Sequence, residues 1–379
     1  MTESNSSPNS HIAEYLDYYC GLSHAPGFAV LLKGEWGSGK TWFIKEYCKQ
    51  KEEEFKREKK RFLYVSLYGM TAFSDIEDAF FQQLHPLLAS KGMAITGKIV
   101  KGLLKGTMKI DLNDDGKDDG NWSIQIPDIK LPESFKNADK SILIFDDLER
   151  CQIDTANLLG YINYFVEHQD LKVILLANEE ELFKKTDAYK NIKEKLIGKT
   201  FEVSFDLEGG LKSFVEQTDD IREFLLSNFD LIEDLYGTAE YKNLRSLKQI
   251  IFDFERIYKV LPEKAKAEPE ILKDIMRPLI ALSIEIQRGN MKASDITKLP
   301  EEYSKQIQSN WSRQNNLGTQ NNEQKQSTLQ EILDRYPFLY PFSIVSDDKM
   351  ILDYEWWQTF FDSGVIDIKN WGGDMKAKT

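Results

Sequence analysis

Residues 34–41 read Gly-Glu-Trp-Gly-Ser-Gly-Lys-Thr, and this stretch constrains the fold more than any other. Gly34, Gly39, Lys40 and Thr41 fill the fixed positions of the pattern G-x-x-x-x-G-K-[ST], with Glu35, Trp36, Gly37 and Ser38 between them. Such a pattern carries weight only between a strand and a helix. Phe28–Leu32 is an apolar run with the length of a buried strand, and Trp42–Tyr47 opens a helix. Three glycines let the backbone turn its N–H groups toward one anion. The helix start adds the positive end of its dipole. The expected phosphate cradle is therefore Gly34 to Thr41 together with Trp42. Lys40 is expected to reach the β- and γ-phosphates, and the Thr41 hydroxyl to sit on Mg²⁺.

A second signal lies about a hundred residues on. Ser141–Phe145 is an apolar strand that ends in Asp146-Asp147-Leu148-Glu149-Arg150. A carboxylate at such a strand end holds Mg²⁺, largely through water. Asp146 is assigned to that role. Asp147 is assigned to orienting the attacking water as general base. Asn178 follows a further strand, Leu171–Ala177, and precedes Glu179-Glu180-Glu181. It fits two roles: a polar sensor of the γ-phosphate, or the cap of the next helix.

Strands at 28–32, 62–67, 141–146, 171–177 and 201–205 alternate with helical stretches at 42–61, 74–91 and 155–168. That alternation predicts a parallel sheet with crossover helices on both faces, and ligands at the carboxyl ends of its strands. Residues 1–10 read as disordered and 11–22 as a helix, so 1–22 forms an N-terminal tail and helix. The nucleotide domain spans 23–210, with an insertion at 92–135. Within the insertion, residues 93–109 form a cationic amphipathic segment, which suits docking on protein better than lying on a membrane. Residues 111–120 imitate the start of an EF-hand loop, but Trp122 stands where its bidentate Glu belongs, so a polar hairpin tip is the better reading. After Gly209-Gly210 the pattern is all helical. Stretches at 211–235, 243–261 and 270–288, the last with Pro278 inside it, make a helical lid domain over 211–304. Arg245 opens the second stretch and fits either a lid arginine for the γ-phosphate or a solvated side chain. Residues 305–328 are rich in Gln, Asn and Ser and read as a linker. Residues 329–379 form a small aromatic-rich helical module.

The net charge of −13 argues against a broad nucleic-acid-binding surface; the run Lys49 to Arg61 reads as a solvated helix end. Cys20, Cys48 and Cys151 are far apart, with neither metal-ligand spacing nor a disulfide framework, so a cytoplasmic location is expected. The four histidines form no ligand pattern. No run reaches the length of a membrane-spanning helix.

Taken together, Gly34 to Thr41 with their Trp-Gly-Ser-Gly-Lys core, and Asp146-Asp147-Leu148-Glu149-Arg150-Cys151, resemble the KAP family of P-loop NTPases, relatives of the AAA+ and STAND proteins. Asn178 matches the family's polar sensor position, and Asn243 to Lys248 look like its lid motif with Arg245. The resemblance covers about residues 25–260. It implies ATP and Mg²⁺ as ligands, a sheet of strand order 5-1-4-3-2, a helical lid, and Arg150 as a finger that senses nucleotide within a ring or the chain. Family members are often bacterial, and some are tied to phage exclusion. Many relatives insert membrane helices between the two motifs, where this chain carries only the cationic segment and the acidic stretch. Asp147 stands where related ATPases commonly place Glu. Its shorter side chain implies slow turnover, which suits a switch better than a motor.

The expectation is thus a Mg²⁺-dependent ATPase switch that self-associates or acts on a protein effector, in an antiviral setting that rests on the resemblance alone. The alternatives are a loading or remodelling ATPase working on DNA or protein, and a nucleotide-bound scaffold that never turns over.

Overall fold

The computed structural model describes residues 7–84, 141–186, 188–314, 326–340 and 354–366. The chain divides into two compact units, Met1–Asp206 and Leu207–Thr379.

The first unit is built on five strands: β1 (Ala29–Lys33), β2 (Arg61–Ser66), β3 (Ser141–Asp146), β4 (Lys172–Ala177) and β5 (Ile197–Glu202). Their order across the sheet is β2-β3-β4-β1-β5, and every neighbouring pair is parallel. Read from the other edge, this is the expected 5-1-4-3-2. The helices of the unit are α1 (Ser10–Gly21), α2 (Lys40–Arg57), α3 (Phe73–Leu84), α4 (Thr155–Glu167), α5 (Glu179–Lys185) and α6 (Ala188–Leu196). Side chains alternate between the faces of a strand, so a sheet covered on both sides needs apolar residues at nearly every position. β1 and β3 meet that demand. Leu31, Leu143 and Phe145 pack with Ile76 and Phe80 of α3 and Leu159, Ile162 and Phe165 of α4. Val30, Leu32, Ile142 and Ile144 pack on the other face with Leu16 and Tyr19 of α1 and Ile44 and Tyr47 of α2. The core is therefore two apolar layers divided by the sheet.

Two expectations about this unit need correction. β5 begins at Ile197, not Phe201. Its pairing with β1 shifts register between Ala29 and Val30, which leaves Gly198 as an extra residue. A Cβ on Gly198 would stand 2.4 Å from the Phe28 ring. Backbone pairing, and not side-chain alternation, sets this strand. The tail is also anchored before α1 begins. Asn9 is buried; its amide donates to the Ser204 carbonyl and accepts from the Ser204 N–H, each at 2.8 Å. Ser7 Oγ donates to Asp206 Oδ2. An Asn side chain carries the same donor and acceptor as a peptide, so it pairs with the chain beyond β5 as a further strand would.

The second unit is helical: α7 (Leu207–Val215), α8 (Arg222–Ser227), α9 (Phe229–Ala239), α10 (Leu244–Val260), α11 (Glu263–Lys266), α12 (Pro269–Gln287), α13 (Leu299–Gln314), α14 (Thr328–Arg335) and α15 (Tyr354–Ser363). The stretch 211–235, read as one helix, is broken into three. Thr218 turns back onto the Val215 carbonyl through both its N–H and its hydroxyl and ends the first of them. Gly209-Gly210 lies inside α7 and does not precede it. A Cβ on Gly210 would meet Leu244 at 2.7 Å, so the residue permits close approach of α7 and α10. α10 is capped by Asn243, whose side chain accepts from the N–H groups of Arg245 and Ser246. α12 holds Pro278 inside it, where Pro was expected.

The stretch 305–328, read as a linker, is helical up to Gln314. Lys305 pairs one turn back with Glu301 and Glu302, each at 2.9 Å, a helix-supporting pattern that a count of polar residues does not reveal. The cationic segment 93–109, the acidic stretch 111–120 and the rest of the insertion at 92–135 lie outside the described residues. So do most of 315–328 and the residues from 367 onward.

Candidate functional site

β1 delivers the chain to the glycine-rich loop at the carboxyl edge of the sheet. Gly34 N–H donates to the Ala177 carbonyl, which joins the loop's first residue to the end of β4. Gly37 and Gly39 take φ values of +88° and +106°, a region that residues with a Cβ rarely adopt. Those angles allow successive N–H groups to face one concave side. A Cβ on Gly34 would sit 2.8 Å from Ser38 Oγ and would turn that hydroxyl aside. Ser38 is buried, and its hydroxyl has no partner among the described residues. Glu35 and Trp36 are exposed; Trp42 packs against the core layer under α2.

Lys40 is buried at the start of α2 and donates to the Gly34 carbonyl at 2.6 Å and the Glu35 carbonyl at 2.9 Å. Two of its three N–H bonds thus hold the loop, and one is left over. Burial lowers its pKa, while the charges of Glu149, Asp146 and Asp147 act the other way.

β3 brings the acids to the same edge. Thr41 Oγ1 donates to Asp146 Oδ2 at 2.7 Å, across 105 positions of sequence. Asp146 is almost fully buried, and burial raises its pKa against the hydroxyls of Thr41 and Tyr64. Its Oδ1 accepts from the Asp147 N–H at 2.8 Å. Asp147 takes the left-handed conformation, φ 59° and ψ 39°, which Asp tolerates better than most residues. Its carboxylate accepts from Ser66 Oγ at 2.8 Å and lies 3.9 Å from Arg150 Nε.

Three functional side chains escaped sequence reasoning. Tyr64 donates to Asp146 Oδ2 at 2.7 Å, and Ser66 holds Asp147. Both lie on β2, and the signal that finds them is topological: parallel pairing with β3 sets Ser66 opposite Asp146. The third is Glu149, whose Oε1 accepts from Trp36 Nε1 at 2.6 Å. Arg150 lies between two rings, its guanidinium 4.7 Å from the Trp36 centroid and 5.4 Å from that of Tyr68.

Asn178 ends β4. It stands at the N-cap position of α5, yet its side chain makes no capping bond. Of its two expected roles, the cap is not taken. The residue is 8% exposed. Arg245 belongs to the second unit, exposed in the first turn of α10.

Lys40, Thr41, Asp146, Asp147 and Arg150 are thus brought together in the first unit. Their chemistry suits a magnesium triphosphate: oxygen donors, one spare ammonium N–H and a loop shaped for an anion. Thr41 and Asp146 would hold the ion. Among the described residues no group of three or more His, Cys, Asp or Glu side chains gathers around a metal position, and no helix is long and apolar enough to cross a membrane.

Comparison with solved structures finds a similar arrangement in Cdc6p from Pyrobaculum aerophilum (TM-score 0.40, 14% identity, covering 80% of this chain and 76% of that one). It also finds the ORC2 protein of Aeropyrum pernix in ADPNP and ADP complexes (0.37, 14%, 76% and 66%). A third is AMPPCP-bound DnaA from Aquifex aeolicus (0.30, 15%, 74% and 83%). No curated protein matches. The model of the KAP family P-loop domain matches residues 9–261, and the chain belongs to that family of P-loop NTPases.

Proposed function

We propose that this chain is a Mg²⁺-dependent ATPase that works as a slow switch. The observation that carries the reading is the 2.7 Å bond between Thr41 and Asp146. It joins the end of the phosphate loop to the acid of β3 at the place where a P-loop enzyme needs its ion. Thr41 and Asp146 would hold Mg²⁺ there, and the ion would supply positive charge against the triphosphate.

The chain's own residues divide the remaining work. Gly34 to Thr41 bind the phosphates, with Trp42 beginning the helix beneath them. Lys40 turns its spare N–H to the β- and γ-phosphates. Asp147, held by Ser66, accepts a proton from the attacking water. Its short side chain and its neighbour Arg150 keep turnover slow. Asn178, whose side chain does not cap α5, senses the γ-phosphate. Arg245 closes from the helical lid, residues 211–304, and Arg150 leaves its aromatic stack to report nucleotide to a neighbouring copy or to the lid. The output passes through residues 329–379 to a protein effector. The family resemblance extends the proposal to phage defence in a bacterial cytoplasm.

Single-turnover hydrolysis of ATP by the wild type and by Asp147→Asn tests the enzyme. A rate about 100-fold lower in the variant, with ATP still bound, supports it. Equal rates would make the chain a nucleotide-bound scaffold.

A further inference from the structure

Glu149 is a buried acid with no assigned part in phosphate or ion binding. It is 4% exposed, Oε1 accepts a short bond from the Trp36 indole, and Oε2 has no partner among the described residues. Buried carboxylates kept for stability have both oxygens satisfied, because a half-paired charge costs more than it returns. Trp36, in turn, is 46% exposed and contributes little burial. Its ring is nevertheless gripped on two sides, by Glu149 at the indole N–H and by Arg150 over its face.

Both gripping residues belong to one short 3-10 turn, Leu148–Arg150, directly after the acids of β3. That turn is itself pinned, since Gly69 N–H donates to the Arg150 carbonyl and Cys151 N–H to that of Leu148. Trp36 lies between Gly34 and Gly37, in the turn closed by the bond from Ser38 N–H to the Glu35 carbonyl.

We propose that Glu149 is a positioning residue for the triphosphate: by holding the Trp36 indole it fixes the shape of the phosphate loop relative to Asp146 and Asp147. The proposal deepens the ATPase reading and rests on it. The bond acts on ATP and ADP alike, because both place phosphates on the loop. It therefore governs affinity and leaves the rate at saturation nearly unchanged.

The test is a double-mutant cycle on Glu149→Leu and Trp36→Phe, read by titration with Mg·ATP and Mg·ADP and by steady-state hydrolysis. Each single variant weakens both nucleotides about tenfold, the size of one charge-assisted hydrogen bond, with kcat within about twofold of wild type. The double variant shows the same tenfold loss, not a hundredfold one, because the two side chains act as a pair. Glu149→Gln keeps an acceptor for the indole and restores affinity to within about threefold. A merely structural role would lower the active fraction, hence kcat, and leave KM alone. Wild-type KM in Glu149→Leu, or losses that multiply in the double variant, would overturn the proposal. Lys40→Ala run alongside separates the two ideas. If it abolishes binding while Glu149→Leu keeps wild-type affinity for both nucleotides, only the positioning role fails. If it binds ATP normally, the ATPase reading fails first.

Discussion

Two buried glutamates, one in each unit, are held in opposite ways. Glu285 of α12 is fully buried and fully paired: Oε1 accepts from Arg335 Nη1 at 2.6 Å and from the Tyr336 hydroxyl at 3.0 Å, and Oε2 from Asn290 Nδ2 at 2.6 Å. It ties α12 to the end of α14, and both oxygens that burial strips of water are given partners. Glu149 is nearly as buried and has one partner for two oxygens. The same side chain serves as a structural clasp in one unit and as an under-paired charge beside a phosphate loop in the other. A buried charge with complete pairing adds to the stability of what it joins. One with incomplete pairing is retained for what it does to its neighbours.

The strongest way to break this contrast is to remove partners. Arg335→Ala leaves Glu285 short of its charged partner and should cost about 3–5 kcal/mol of stability. Denaturant melts check this, with affinity for Mg·ATP unchanged in the folded protein. Glu149→Leu should behave in reverse. It deletes an under-paired charge in favour of a side chain of similar volume, so stability should move by less than about 1 kcal/mol while nucleotide affinity falls. A large stability loss in Glu149→Leu would erase the contrast. Between these lies Gly198→Ala. The Cβ would press on Phe28 and should cost about 1–3 kcal/mol by overpacking at the sheet edge, measured by thermal unfolding. Asn243→Ala removes the α10 cap for about 1 kcal/mol and should leave the first unit untouched in hydrogen exchange.

The parts of this molecule that can be read from sequence are those whose physics is local. Gly34 to Thr41 announce a loop because the conformations of Gly37 and Gly39 need glycine, and Asp146 announces itself by ending an apolar run. Strand order follows from the family resemblance carried by those motifs. What escapes is set by pairing at a distance. Trp36 and Glu149 meet across 113 positions with no spacing rule to link them. Asn9 resembles any residue of a polar tail until Ser204 stands beside it. The start of β5 is fixed by hydrogen bonds to β1 and by a bulge at Gly198, neither of which leaves a hydrophobic trace. α13 is held by charge pairs one turn apart, in a composition that otherwise suggests a linker.

Titration calorimetry of Mg·ATP into the wild type and Lys40→Ala tests the central claim most directly. The account predicts saturable uptake of one ATP per chain by the wild type, lost when Mg²⁺ is chelated and lost in Lys40→Ala. Uptake that survives the substitution, or no uptake by the wild type, would contradict it.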